Sequence, residues 1–201
     1  MPKLSPEPVF LGLLEAQTSY GYHLLDQFRS TEQLGRIWNL GTSQLYVILK
    51  RLEREELIEG REESRPDAPM RTVYWLTDSG RQHLYAWLNE PEPSASSRNI
   101  RTEFLSRLYI ADMLGQPTGP IIDSQVVACR RHRASLYADP DVHIGRVAGL
   151  ALELRRRELD LILDWLETCR RPLRATPASN PARRTDAASS LDHDGSTHGS
   201  R

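Results

Sequence analysis

Hydrogen-bonding side chains gather in one short stretch, Thr42-Ser43-Gln44, with Tyr46 and Lys50 just beyond it. Hydroxyl and amide groups of this kind can read the edges of bases, while a lysine neutralises phosphate. Interleaved with them are Leu45, Ile48, Leu49 and Leu52, spaced at three and four, the mark of a helix with one buried stripe. With that stripe turned inward, the polar residues are left for contact. Thr42 or Ser43 is expected to cap the helix. Tyr46 has two readings: a ring packed beneath a neighbouring hairpin, or a hydroxyl on a phosphate or base edge. Arg65 and Arg71 flank a proline-rich segment and are either further phosphate partners or a solvated charged turn. Ser19 and Tyr20 stand at the head of another helix, whose free amides could hold a phosphate.

Other chemistry finds no footing. The six histidines are scattered, with no H-x-x-x-H or H-E-x-x-H, and Cys129 and Cys169 form no CxxC. The two cysteines read as structural thiols. There is no G-x-S-x-G, Walker A or Rossmann glycine run, so no catalytic residue, metal ligand or cofactor site is assigned. Trp38, Trp75, Trp87 and Trp165 read as core side chains before ligand contacts.

These residues must be positioned by a fold, and 201 residues suffice for a small domain with a helical appendage. Hydrophobic residues make up 39% and charged residues 26%, as in an ordinary globular chain. The net charge of −1 gives no support to a nucleic-acid partner; local clusters have to carry that reading. No apolar run approaches a membrane span and the first residues do not read as a signal peptide, so a cytoplasmic protein without a membrane partner is expected.

Along the chain, a short helix begins at Pro8 with Leu11 and Leu14 inward. A second follows Ser19-Tyr20, with Tyr22, Leu24, Leu25 and Phe28 as its apolar positions. The helix of Leu45 to Leu52 is third. Residues 57–61 and 71–76 read as two strands, and 64–70 as a turn too rich in proline for any strand. Thr77 caps a fourth helix carrying Leu84, Trp87 and Leu88. Three helices, a hairpin and a helix make a helix-turn-helix followed by a wing, in which the third helix offers its polar face to a major groove. The expected fold is therefore mostly α with a small β hairpin: a winged helix-turn-helix over 1–93, a linker at 94–97 and a helical domain over 98–171. Residues 172–201 read as a disordered tail.

In the helical part, Ile100, Phe104, Leu105, Leu108, Tyr109 and Met113 share one apolar face. A helix is expected from Ile121 to about Tyr137, and a long one from about Val142 to Cys169. The long helix carries two stripes. Val147, Leu150, Leu154, Leu161 and Trp165 form one; Leu152, Leu159, Leu163 and Leu166 form the other. Two stripes need two partners, and one of them can be a second subunit. Dimerisation is therefore assigned to Leu150, Leu154, Leu161 and Trp165. Arg155-Arg156-Arg157 reads as a solvated or ion-paired face in preference to a DNA contact.

Four stretches carry a family resemblance. Leu11-Gly12-Leu13-Leu14 with Tyr20-Gly21-Tyr22-His23-Leu24, Ser43-Gln44-Leu45-Tyr46 through Leu57-Ile58, Tyr74-Trp75-Leu76-Thr77-Asp78-Ser79-Gly80, and Trp87-Leu88 near Pro91 occur in order over residues 8–91. Together they resemble the PadR family of bacterial transcriptional regulators, in its longer form with a helical C-terminal dimerisation domain. The chain departs from the family pattern at Val47, where proline is common, at Glu56, where glycine is frequent, and at His23, where glutamate is usual. The resemblance implies a dimeric repressor of a double-stranded operator, and many such repressors are relieved by a small molecule. Two-fold symmetry makes the operator pseudo-palindromic. The effector-binding residues stay unassigned. A different reading is a ligand sensor or adaptor acting through protein contacts, suggested by the acidic run between Glu53 and Glu63.

Overall fold

The computed structural model describes residues 4–30, 34–65, 68–138 and 145–170. The expected tail at 172–201, and residues 142–144 of the expected long helix, lie outside these. Helix α1 (Glu7–Ala16) buries Val9, Phe10, Leu11, Leu13 and Leu14 and starts behind Pro6. Proline at a helix start costs nothing, because the missing N–H would be unpaired there in any case. A two-residue strand β1 (Ser19–Tyr20) leads into α2 (Gly21–Arg29), which buries Leu24, Leu25 and Phe28. A 3-10 turn (Leu34–Arg36) precedes α3 (Thr42–Arg54), where Leu45, Ile48, Leu49 and Leu52 are all buried as their spacing predicts.

Strands β2 (Ile58–Arg65) and β3 (Ala68–Leu76) form the wing, and α4 (Asp78–Leu88) follows. The sheet order is β1-β3-β2, all antiparallel. The strands run longer than the prolines suggested, pairing from Ile58↔Leu76 out to Arg65↔Ala68 across an irregularity between Glu63 and Arg65. Pro69 fits within β3 because β1 pairs only with Val73 and Tyr74, so β3 is an edge at that point. Thr77 caps α4 as expected, accepting from Gly80 N at 3.0 Å, and its hydroxyl proton is shared between Glu56 O at 2.8 Å and Leu57 O at 3.0 Å.

A helical turn α5 (Ser97–Asn99), a π-helical stretch (Ile100–Phe104) and α6 (Leu105–Met113) run on in succession. Ile100, Phe104 and Leu108 are buried there; Met113 reaches solvent. Helices α7 (Gly119–Ala138) and α8 (Arg146–Cys169) pack against each other. The two stripes of α8 separate as their spacing requires. Leu159 and Leu166 are buried, while Val147, Leu150, Leu154 and Leu161 are 57–80% exposed. Trp165 departs from its stripe, packing edge-on against Phe104 at 6.0 Å between ring centres. Arg157 pairs with Glu153 within α8, and Arg156 donates to Leu136 O of α7. The core is continuous from α1 to α8, and α1 meets α6 so closely that a methyl on Gly12 would lie 2.4 Å from Ile110 Cγ2.

Candidate nucleic-acid interface

The outer face of α3 follows from its inner one. Ser43, Tyr46, Val47 and Lys50 recur at three and four opposite the leucine stripe, and all are exposed, as are Thr42 and Gln44 in the first turn. The helix is not capped by Thr42 or Ser43. Gly41 occupies the cap with extended backbone and no side chain to offer, because the helical turn already includes Thr42. The Thr42 hydroxyl instead accepts from Arg29 Nη2 at 3.2 Å, tying the start of α3 to the end of α2. Arg51, next to Lys50, turns inward and ion-pairs with Glu7 on α1. Lys50 is thus presented outward, with Arg54 exposed one turn further on.

Tyr46 is 44% exposed, and its ring lies over the start of α2. A methyl on Gly21 would come within 3.3 Å of Tyr46 Cε1, so glycine there permits the approach. The ring is packed against the start of α2 in place of the expected position beneath the hairpin, and part of it stays exposed.

The wing is joined to the same region. Ser19 and Tyr20 pair with Tyr74 and Val73 of β3, so the head of α2 is a third strand of the wing sheet. Tyr20 donates its hydroxyl to Glu63 Oε2 at 2.9 Å, and Arg71 Nη1 donates to the Tyr22 hydroxyl at 3.2 Å. The Arg71 guanidinium also sits 5.3 Å from the centre of the Tyr22 ring, a cation–π contact. Tyr22, expected among the apolar positions of α2, is instead 40% exposed. Its spacing explains this: Gly21, Leu24, Leu25 and Phe28 make the buried stripe, and position 22 falls beside it. Tyr22 and Glu63 are the polar partners that composition did not reveal. The side chain of Arg65 lies outside the described residues.

The acidic residues stand at the C-terminal end of this face, three to six residues past Lys50 and far from Thr42. Glu53, Glu55 and Glu56 close α3, a helix of 13 residues, about 15–20 Å from Thr42 at 1.5 Å per residue. Glu53 turns toward the root of the wing, where its Oε1 would lie 2.9 Å from a methyl on Gly60. Its charge there, after burial, helps hold the Tyr74 phenol above its ordinary pKa.

Residues 10–86 match the model of the transcriptional regulator PadR-like family, from the second turn of α1 to the last of α4. Those 77 of the 201 residues form a PadR-like segment. It is 33% identical over 106 residues to the negative transcriptional regulator PadR of Bacillus subtilis, a match covering 53% of this chain and 56% of that relative, little more than half its length. It is 27% identical over 179 residues to the probable transcriptional regulator Rv1176c of Mycobacterium tuberculosis, covering 81% of this chain and 93% of the relative. Among solved structures it is similar to Bacillus subtilis PadR in complex with operator DNA, at 25% identity and a TM-score of 0.44, covering 84% and 97% of the two chains. No helix among the described residues is long and apolar enough to cross a membrane.

Proposed function

We propose that this protein is a homodimeric, sequence-specific DNA-binding repressor, acting in the cytoplasm without catalysis and released by a small-molecule effector. The observation that carries the reading is the outer face of α3, which exposes Ser43, Gln44, Tyr46 and Lys50, together with a wing cation, Arg71, bonded to α2. In this reading Gln44 and Ser43 read base edges, and Lys50, Arg65 and Arg71 meet phosphates. Thr42, Ser19 and Tyr20 frame the helix starts, where backbone amides favour an anion. The name of the Bacillus subtilis relative, a negative regulator, supports repression.

The domain division at 1–93, 94–97 and 98–171 belongs to the same proposal, with the second part serving dimerisation. The outward stripe of Leu150, Leu154 and Leu161 supports it, and Trp165, half-buried, would contribute only its free edge. A cleft of about 480 Å³ between segment 91–96 and α7 is of a size to take an effector. Val127, Ala128, Arg131 and His132 are among the residues that line it.

The test is fluorescence anisotropy with DNA from the region flanking the gene and with mixed-sequence DNA. Gln44→Ala should cost about 1–3 kcal/mol on the preferred DNA and little on the mixed sequence. Lys50→Ala should weaken both alike. Equal binding of wild type and both variants would contradict the assignment.

A further inference from the structure

Glu63 on β2 and Arg71 on β3 are register partners across the wing. Opposite charges at facing positions ordinarily find each other. Here each is bonded to a tyrosine from the junction of β1 and α2: Glu63 accepts from Tyr20, and Arg71 donates to Tyr22. The two tyrosine rings are themselves stacked, 5.7 Å apart and 14° from parallel, and His23 closes on Tyr22 at 4.0 Å. A stacked pair of rings thus stands against the wing and takes one charge on each.

The consequence for a polyanion is direct. A carboxylate paired with Arg71 would cancel most of the wing's attraction for phosphate. With Tyr20 holding Glu63 and Tyr22 holding Arg71, the guanidinium is not locked into an ion pair with that neighbour, although the carboxylate's charge stays close by. It spends one N–H on the tyrosine hydroxyl, and its remaining donors stay available for a bidentate contact. Arginine carries much rotamer freedom, and fixing it beforehand removes that cost from binding. Tyr22 also belongs to α2, so Arg71 is held relative to the helices and not only to its own hairpin.

We propose that Tyr22 is a positioning residue for DNA binding, holding the Arg71 guanidinium in place for a backbone phosphate while Tyr20 keeps Glu63 from occupying its donors. This rests on the reading of the protein as a DNA-binding regulator. Because a phosphate contact is independent of sequence, a short fluorescein-labelled duplex of mixed sequence is a sufficient probe. Anisotropy is measured over a salt series for wild type, Tyr22→Phe, Tyr22→Ala, Arg71→Ala and the double variant Tyr22→Ala/Arg71→Ala. Both side chains are exposed, so all variants should fold, which circular dichroism checks.

Arg71→Ala should lower the salt slope by about one per subunit. Tyr22→Ala should weaken binding about two- to ten-fold, the cost of leaving one long side chain to be ordered on binding. Tyr22→Phe, which keeps the ring and loses the hydroxyl, should fall between Tyr22→Ala and wild type. The double variant should bind no more weakly than Arg71→Ala alone, because Tyr22 acts through Arg71. A merely structural tyrosine would give losses that add. Additive losses, or wild-type binding by Tyr22→Ala or by Arg71→Ala, would overturn the proposal. Failure of the wild-type protein to bind, or binding indifferent to salt, would instead overturn the DNA-binding reading and the role of Tyr22 with it.

Discussion

Trp38 donates its indole N–H to Ser106 Oγ at 2.8 Å, across 68 residues of sequence. Only Asn39, Leu40 and Gly41 separate Trp38 from the first turn of α3, and Ser106 is fully buried in α6. The next residue, Arg107, is also buried; it ion-pairs with Glu103 at 2.6 Å and lies 5.6 Å from the centre of the Trp87 ring. Adjacent polar residues of α6 therefore hold one tryptophan before the candidate recognition helix and one in the helix after the wing. A hydrogen bond is directional, so this part-buried contact adds a specific tie between the segment before α3 and α6.

Ser106→Ala should leave the indole N–H without a partner and destabilise the chain by about 1–3 kcal/mol, measured by urea unfolding. Trp38→Phe should cost more, through lost ring area. The double variant should cost less than the sum, because neither partner is then stranded. Strict additivity would show that the bond contributes nothing of its own.

Glu56 has a φ of 56°, in the left-handed region that disfavours side chains, at the position where the family pattern often places glycine. Its backbone is held there: its N–H donates to Glu53 O and its carbonyl accepts from Thr77 Oγ1 at 2.8 Å. Glu56→Gly should relieve the left-handed strain and lose part of the gain to unfolded-state entropy, for a net stabilisation of about 0.5–1 kcal/mol. The urea midpoint should rise with an unchanged slope. A fall in the midpoint would mean that the glutamate side chain contributes more than its backbone costs.

Leu154 is 67% exposed on the outer stripe of α8. Leu154→Glu should leave the helical content of a single chain intact and convert the proposed dimer to a monomer, read by light scattering at micromolar concentration. A wild-type chain that is already monomeric would remove the basis for this assignment.

The parts of the fold that were legible were those carried by period. The stripe of α3 and the inner stripe of α8 followed from leucines at three and four, and the Thr77 cap from its place before a polar first turn. What escaped had no period to read. Strand β1 is two residues long, and its pairing with Tyr74 and Val73 is visible only in space. Proline marks the end of a paired strand but is tolerated at an edge, and that β3 is an edge on the Pro69 side of Val73 is a property of the sheet and not of the local sequence. The ring of Tyr22 suggests an apolar position, but its angle on the helix, beside the stripe of Gly21, Leu24, Leu25 and Phe28, turns it outward. The Thr42 cap failed for a local reason, since a residue inside the first turn cannot also stand before it.

The most direct test of the account is a nuclease footprint of the full-length protein on DNA fragments it selects from its own genome. A dimer presenting two copies of α3 should protect a pseudo-palindromic site whose half-sites lie about one helical turn, roughly 10 base pairs, apart. Protection should fade steeply as salt is raised. Selection of no fragment above background, or protection without two-fold symmetry and indifferent to salt, would contradict it.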